Sequence, residues 1–269
     1  MKLLTLNTHS LMESEYEKKL DIFVNAISKH MPDVVALQEV MQPIENKSVQ
    51  NEYLGSIPLK EGNHGLNVVE KLKLLGINYC LYWLGIKRSY DRFDEGVAIL
   101  SKKPAKEVDI ITLSPFDKYE DWKTRKALGI KIDNNWFYSV HMGWWDDERS
   151  PFQYEFKELT RHLAQNQRVW LMGDFNSVAS ERDKGYDLAL KSGLFDTYSL
   201  AVNKDSGITA RTEIDGWKSG ERDKEIRIDY IFTNYQEEID SSFTIFNGEN
   251  EQVISDHFGI IVTTGGKEK

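Results

Sequence analysis

The sequence predicts an α/β fold with mixed sheet content, and three observations carry that reading. Strand, helix and strand follow one another within the first forty residues. Short apolar runs of strand length, bounded by turn residues, recur from residue 79 to the C-terminal region. Short links join the strand candidates between 79 and 141, which argues for antiparallel pairing there.

The first strand begins at once, at residues 2 to 6 of "MKLLTLNTHS". Leu20, Phe23, Val24 and Ile27 recur at helical spacing between residues 15 and 30, and Pro32 ends that helix. A buried strand, "DVVALQE", follows at 33–39. Further strands are expected at 79–85, 95–101, 107–113, 127–132, 136–141, 168–173, 226–233 and 258–263, and helices at 64–75, 151–166 and 184–192. Residues 41–63 and 203–224 fit neither period and are expected to be functional loops. No repeat, low-complexity tract or linker marks a boundary, so one domain spanning 1–269 is expected.

With 34 basic against 43 acidic residues the chain carries a net charge of -9 and no basic block, which argues against a nucleic-acid partner. Cys80 is the only cysteine, so an internal disulfide and a cysteine-based zinc cluster are excluded, and a buried, small-hydrophobe role is expected for it. The opening apolar stretch is too short for a secretory signal, and no run approaches about 18 apolar residues. A cytoplasmic protein with no membrane partner is expected.

In "VWLMGDFNS", at 169–177, an apolar strand stops on Gly173, Asp174 and Asn176. A tight turn accounts for those letters alone. Yet Asn7 ends the first strand, Glu39 the second and His141 the strand "FYSVH", while Asp229 sits in "IRIDYIF" and Asp256 with His257 in "VISDHFGI". Each has a plain structural explanation, as a turn cap or a satisfied histidine. Six such punctuations in one chain are harder to explain that way, because polar strand ends of packed sheets converge on one rim. Carboxylate and amide oxygens suit Mg²⁺ or Mn²⁺, and histidine with a carboxylate suits acid-base work. Metal-assisted hydrolysis of a phosphate ester is the chemistry this set fits.

In order along the chain, "LNTHS", "LQEV", "GVAILSKKP", "SVHMG", "GDFNS", "RIDYIF" and "SDHFG" resemble the endonuclease/exonuclease/phosphatase superfamily. The resemblance implies a four-layer αββα sandwich, with two mostly antiparallel sheets packed face to face, helices outside and the active site at one end of the sheets. It further implies that Glu39 is the principal metal-binding carboxylate with Asn7 beside it and Asp256 as an accessory contact. Asp174 would orient or deprotonate the attacking water, and Asn176 would hold a phosphate oxygen. His257 would meet the phosphoryl group as an imidazolium steadied by Asp229. His141 stands where the nuclease branch often has tyrosine, which points away from apurinic endonucleases. Arg125 is a candidate phosphate contact or a solvated charge, and His9 a candidate site residue or a bonded loop histidine.

"YDRFDEGVAILS", "HMGWWDD", "EIDGW" and "FNGENEQVISDHFG" are similar to the maltose 6'-phosphate phosphatases of Gram-positive bacteria, which implies a sugar-phosphate substrate. Independently, Trp144 and Trp145 closely follow His141, and Trp217 lies in the unassigned loop. Flat aromatic faces flanked by Asp146, Asp147 and Asp215 suit a neutral polyhydroxyl ligand, core packing or hairpin bracing being the plain structural alternative for the tryptophans. The alternative function is a metal-dependent nuclease or phosphodiesterase.

Overall fold

The computed structural model describes residues 1–49, 54–163, 167–211 and 225–265. Two large mixed sheets face one another with helices outside. In spatial order, the first comprises β10 (Asn203–Lys204), β14 (Ile239–Ile245), β15 (Gly259–Thr264), β1 (Lys2–Asn7), β2 (Val34–Pro43), β4 (Phe93–Ser101) and β3 (Cys80–Ser89). The second comprises β5 (Glu107–Thr112), β6 (Lys126–Ile132), β7 (Asn135–His141), β8 (Arg168–Asp174), β13 (Asp229–Thr233) and β9 (Phe195–Asp196). A small ribbon joins β11 (Ala210–Arg211) to β12 (Glu225–Ile226). The helices are α1 (Tyr16–His30), α2 (His64–Leu74), α3 (Phe152–His162), α4 (Gly185–Lys191) and the single turn α5 (Thr197–Leu200).

The period-two pattern of the strands builds the layers. Leu3, Val34 and Ala36 face the second sheet, where Phe137, Trp170, Met172 and Ile231 meet them. Their neighbours Leu4, Leu6, Val35 and Leu37 face outward, under Leu20, Phe23 and Ile27 of α1 and Val68 and Leu72 of α2. On the far side Val169, Leu171, Tyr230 and Phe232 lie under Phe152, Phe156 and Leu159 of α3 and Tyr186 of α4. Strands covered on both faces read as unbroken apolar runs, which is why alternation is invisible in "VVAL" and "VWLM".

Several expectations are corrected. β4 and β5 follow one another but lie in different sheets, so antiparallel pairing in the 79–141 region holds for β3 with β4, β5 with β6 and β6 with β7 only. β14 was not anticipated, because Asp240, Ser241 and Ser242 dilute its apolar face. The expected strand 226–233 divides into β12 and β13, and the helix expected over 151–166 ends at His162, with residues 164–166 outside the described residues. Part of segment 41–63 is core: Ile57 and Leu59 are buried against the α1/α2 side, and Asn63 caps α2 by accepting the Leu66 N–H. Cys80 is half-buried at the start of an edge strand rather than in the core. Among the described residues no helix is long and apolar enough to cross a membrane.

Candidate active site

The face between the sheets grows polar toward one end. Following alternate residues, Leu3, Thr5 and Asn7 lead along β1, Phe137, Ser139 and His141 along β7, and Trp170, Met172 and Asp174 along β8. β7 and β8 run parallel with His141 opposite Asp174, and antiparallel β13 brings Asp229 opposite Asp174 as well. One row of the second sheet thus carries His141, Asp174 and Asp229. Asn7 of the first sheet faces it, donating to Asp174 Oδ2 at 3.1 Å and to Glu39 Oε1 at 2.8 Å. Just below, Gln38 donates to Ser139 Oγ at 2.9 Å and ties the sheets together.

Glu39 is not at a strand end. β2 continues to Pro43, and Glu39 sits on a bulge with φ of 52°, where the register with β4 shifts between Leu37 and Val40. A bulge re-aims a side chain within a sheet. The backbone groups it leaves unpaired are met by "THS": Thr8 Oγ1 donates to the Gln38 carbonyl at 2.8 Å, Ser10 Oγ donates to the Glu39 carbonyl at 2.6 Å, and Ser10 Oγ accepts the Met41 N–H at 3.2 Å. Gly173 answers a second local demand. Its φ is 149°, and a β-carbon there would lie 2.0 Å from the Val140 carbonyl oxygen.

Asp174 Oδ1 accepts the Asn176 N–H at 2.8 Å, closing a turn in which Asn176 adopts φ of 46° and donates its amide to the Met142 carbonyl at 2.9 Å. Asp174 Oδ2 faces His141 Nε2 at 3.6 Å and His257 Nε2 at 3.8 Å. His257 Nδ1 lies 3.0 Å from Asp229 Oδ2, with both side chains about 1% exposed. Burial opposes a charge on His257, but Asp229 and Asp174 together hold its pKa well above the ordinary value. His141 goes the other way: burial, then Arg125 and Lys87, keep its pKa well below the ordinary value. The site thus holds an imidazolium beside a neutral imidazole.

Burial raises the Asp174 carboxyl to about 6, against the pull of His257. Burial raises Glu39 to about 7, and the carboxylates of Glu95 and Asp256 add repulsion. Glu39, held by the Asn7 amide and close enough to the Glu95 and Asp256 carboxylates to be repelled by them, offers hard-oxygen donors of the kind that fit a divalent cation of the Mg²⁺ or Mn²⁺ type.

These groups open into a cleft of about 430 Å³ that also takes in Lys87, Arg88, Tyr90, Glu95, Glu120, Trp122, Arg125 and Trp144. Of the residues expected at the substrate, Arg125 and Trp144 line this cleft. Trp145 does not: it packs on Phe152 at 6.1 Å between ring centres, because adjacent side chains on this loop face opposite ways. His9, in a left-handed turn with φ of 44°, pairs with Glu13 at 2.8 Å and approaches Asp256 Oδ1 at 4.0 Å instead of lining the cleft. Trp217 and Asp215 lie outside the described residues. Asp147 is engaged by Lys123 at 2.5 Å and Asp146 is largely exposed, and neither lines the cleft, whose exposed acids are Asp91 and Glu120.

Sequence reasoning missed Lys87, Glu95 and Trp122. The available signal was a lysine two residues beyond the strand expected at 79–85 and a glutamate opening the one expected at 95–101, which register places opposite one another in β3 and β4. Trp122 meets Trp144 edge to face at 5.8 Å, from a loop remote in sequence.

Residues 4–257 match the model of the Endonuclease/Exonuclease/phosphatase family. The chain belongs to the endonuclease/exonuclease/phosphatase family. An endonuclease/exonuclease/phosphatase family protein from Leptotrichia buccalis is 31% identical, with 99% of this chain and 100% of that chain covered and a TM-score of 0.89. The family fold is also shared with a mannosyl-6-phosphatase from Bacteroides thetaiotaomicron, at 16% identity, coverage of 99% and 100%, and a TM-score of 0.65. A 3′ phosphatase from Neisseria, bound to a product DNA hairpin, superposes at 17% identity, coverage of 99% and 100%, and a TM-score of 0.64. None of the curated proteins matches the chain significantly. Members of the endonuclease/exonuclease/phosphatase family are metal-dependent phosphoesterases, and the buried acid and histidine cluster is consistent with that chemistry.

Proposed function

We propose that this chain is a divalent-metal-dependent phosphomonoesterase acting on a sugar phosphate, with maltose 6'-phosphate the first substrate to test. The observation that carries the reading is the cleft: its floor is the Glu39, Asp174 and His257 cluster, its wall is the Trp122 and Trp144 pair, and Asp91 and Glu120 lie at its edge. Aromatic faces with nearby acceptors suit sugar rings, and acids there disfavour a polyanionic strand. A volume of about 430 Å³ is in the range of small-molecule sites.

In this reading Glu39 holds the metal, with Asn7 and Asp256 beside it. A bound divalent ion would supply charge neutralisation at the phosphoryl oxygens. Asp174 Oδ2, steadied by Asn7 and aimed between the two histidines, orients a water and takes its proton as attack proceeds. Asn176 and neutral His141 fix phosphoryl oxygens, while His257, charged and held by Asp229, stabilises the charge that develops.

The test is phosphate release from a panel of sugar phosphates with Mg²⁺ or Mn²⁺, beside digestion of DNA oligonucleotides. Release from a disaccharide phosphate in preference to a monosaccharide phosphate is the expected result. Robust DNA cleavage with no release from sugar phosphates would replace this reading with a nuclease.

A further inference from the structure

The cleft contains two buried cations, Lys87 and Arg125, at 6% and 4% exposure. Lys87 projects from β3 opposite Glu95 of β4, with Nζ 3.1 Å from Glu95 Oε1. Its Nζ also donates to the Trp122 carbonyl at 2.8 Å, and Arg125 Nη1 donates to the same carbonyl at 3.0 Å. One backbone oxygen therefore joins both cations to the tryptophan wall.

Neither cation is saturated by these bonds. An ammonium has three N–H donors, and Glu95 and Trp122 take two of them among the described residues. Arg125 uses only Nη1 for protein acceptors, the Trp122 and Thr124 carbonyls, and its Nε is buried without a partner among the described residues. Buried N–H groups left open in this way cost free energy until an acceptor arrives. Because Lys87 and Arg125 converge on one carbonyl, an anion in the cleft would relieve the repulsion between the two cations.

A phosphate monoester carries close to two negative charges near neutral pH, whereas a diester carries one. We propose that Lys87 is a catalytic residue that contacts the phosphoryl oxygens alongside Arg125 and makes the site selective for monoesters over diesters. This rests on the phosphomonoesterase reading and adds its specificity determinant. Glu95 keeps Lys87 in place without using all of its donors. The shared Trp122 carbonyl holds the phosphate-binding floor and the sugar-facing wall at one spacing.

The test compares 4-nitrophenyl phosphate with bis(4-nitrophenyl) phosphate, which have the same leaving group, in wild type and Lys87→Met. Losing one charge-assisted contact is expected to lower kcat/KM for the monoester by about 100-fold and for the diester by less than about tenfold. Inorganic phosphate should inhibit the variant competitively at least about tenfold more weakly than wild type. Equal losses on both esters, or an unchanged inhibition constant for phosphate, would overturn the assignment. If Lys87→Met does not fold, Lys87→Arg serves: retained monoester preference supports the charge requirement, and loss of that preference in folded protein overturns it. A wild type that cleaves only the diester sinks the phosphomonoesterase reading itself, a result separate from an active wild type whose selectivity Lys87 does not control.

Discussion

His257 and His141 are the same residue type a few ångströms from one carboxylate, yet one is held charged and the other neutral. The difference is the partner behind the ring: Asp229 backs His257, while Arg125 and Lys87 face His141. Asp229→Asn and His257→Ala should therefore act as one unit, and a double variant should lose far less activity than the product of the single losses. Multiplicative losses in kcat would separate them. Asp174→Asn should lower kcat by at least about a hundredfold with a small change in KM, because in the proposed mechanism its interaction matters chiefly in the transition state. A raised KM at constant kcat would give Asp174 a binding role instead. These residue types were legible in the sequence, since carboxylates and histidines closing apolar strands are rare without a use. Lys87 was not, because its meaning depends on its neighbour in the next strand, Glu95.

At the scale of elements, a bulge, a turn and two loops shape the site. A side chain at Gly173 would collide with the Val140 carbonyl and require an unfavourable φ, so Gly173→Ala should destabilise by more than about 2 kcal/mol, measured by denaturant unfolding. The loop after β7 is pinned from below by Glu155 of α3, which accepts the Gly143 N–H at 2.6 Å and the Ser150 hydroxyl. That fixing separates the fates of adjacent tryptophans. Trp144→Ala should lower the preference for a disaccharide phosphate over glucose 6-phosphate by about one to two factors of ten, the worth of a stacking contact. Trp145→Ala should instead cost about 2 kcal/mol of stability and leave that preference unchanged, since its ring is partly buried against Phe152. Kinetics on the two sugars and a melting curve for each variant check the pair. "GWWDD" predicted a loop near the site but could not assign the two rings, because the direction of each depends on what α3 places beneath it.

For the whole molecule, concentrating acids at one end of the sandwich has a thermodynamic consequence. Burial raises Glu39 and Glu155 from 4.5 to about 7 and Asp174 from 3.8 to about 6. Between the ordinary and the raised values the native chain binds more protons than the unfolded chain. The stability these groups contribute is therefore fully present below their ordinary values and is lost as pH rises through about 6 to 7. If Glu39 holds a divalent cation as proposed, that cation would compete with the proton on Glu39 and stabilise the native state by mass action. Added Mg²⁺ should raise the melting temperature more at about pH 7.5 than at about pH 5.5. An equal rise at both values, or none, would remove Glu39 from the metal site. Glu39→Gln should abolish most of the metal-dependent rise and cost several kcal/mol of transition-state stabilisation.

By itself the sequence determined the α/β class, the order of the main strands and helices, and the residue types of an oxygen-rich, histidine-bearing site. Those properties are local: periodicity, turn chemistry and donor type are carried by a few consecutive letters. Tertiary structure alone decided that "SVH", "GDFN" and "RIDY" form one row, through a parallel and an antiparallel pairing in the same sheet. It alone placed Glu39 on a bulge completed by Thr8 and Ser10, brought Trp122 to Trp144, and turned Trp145 and His9 away from the cleft. The physical reason is that the direction of a side chain depends on register and on what packs behind it, and both are set by residues distant in the chain.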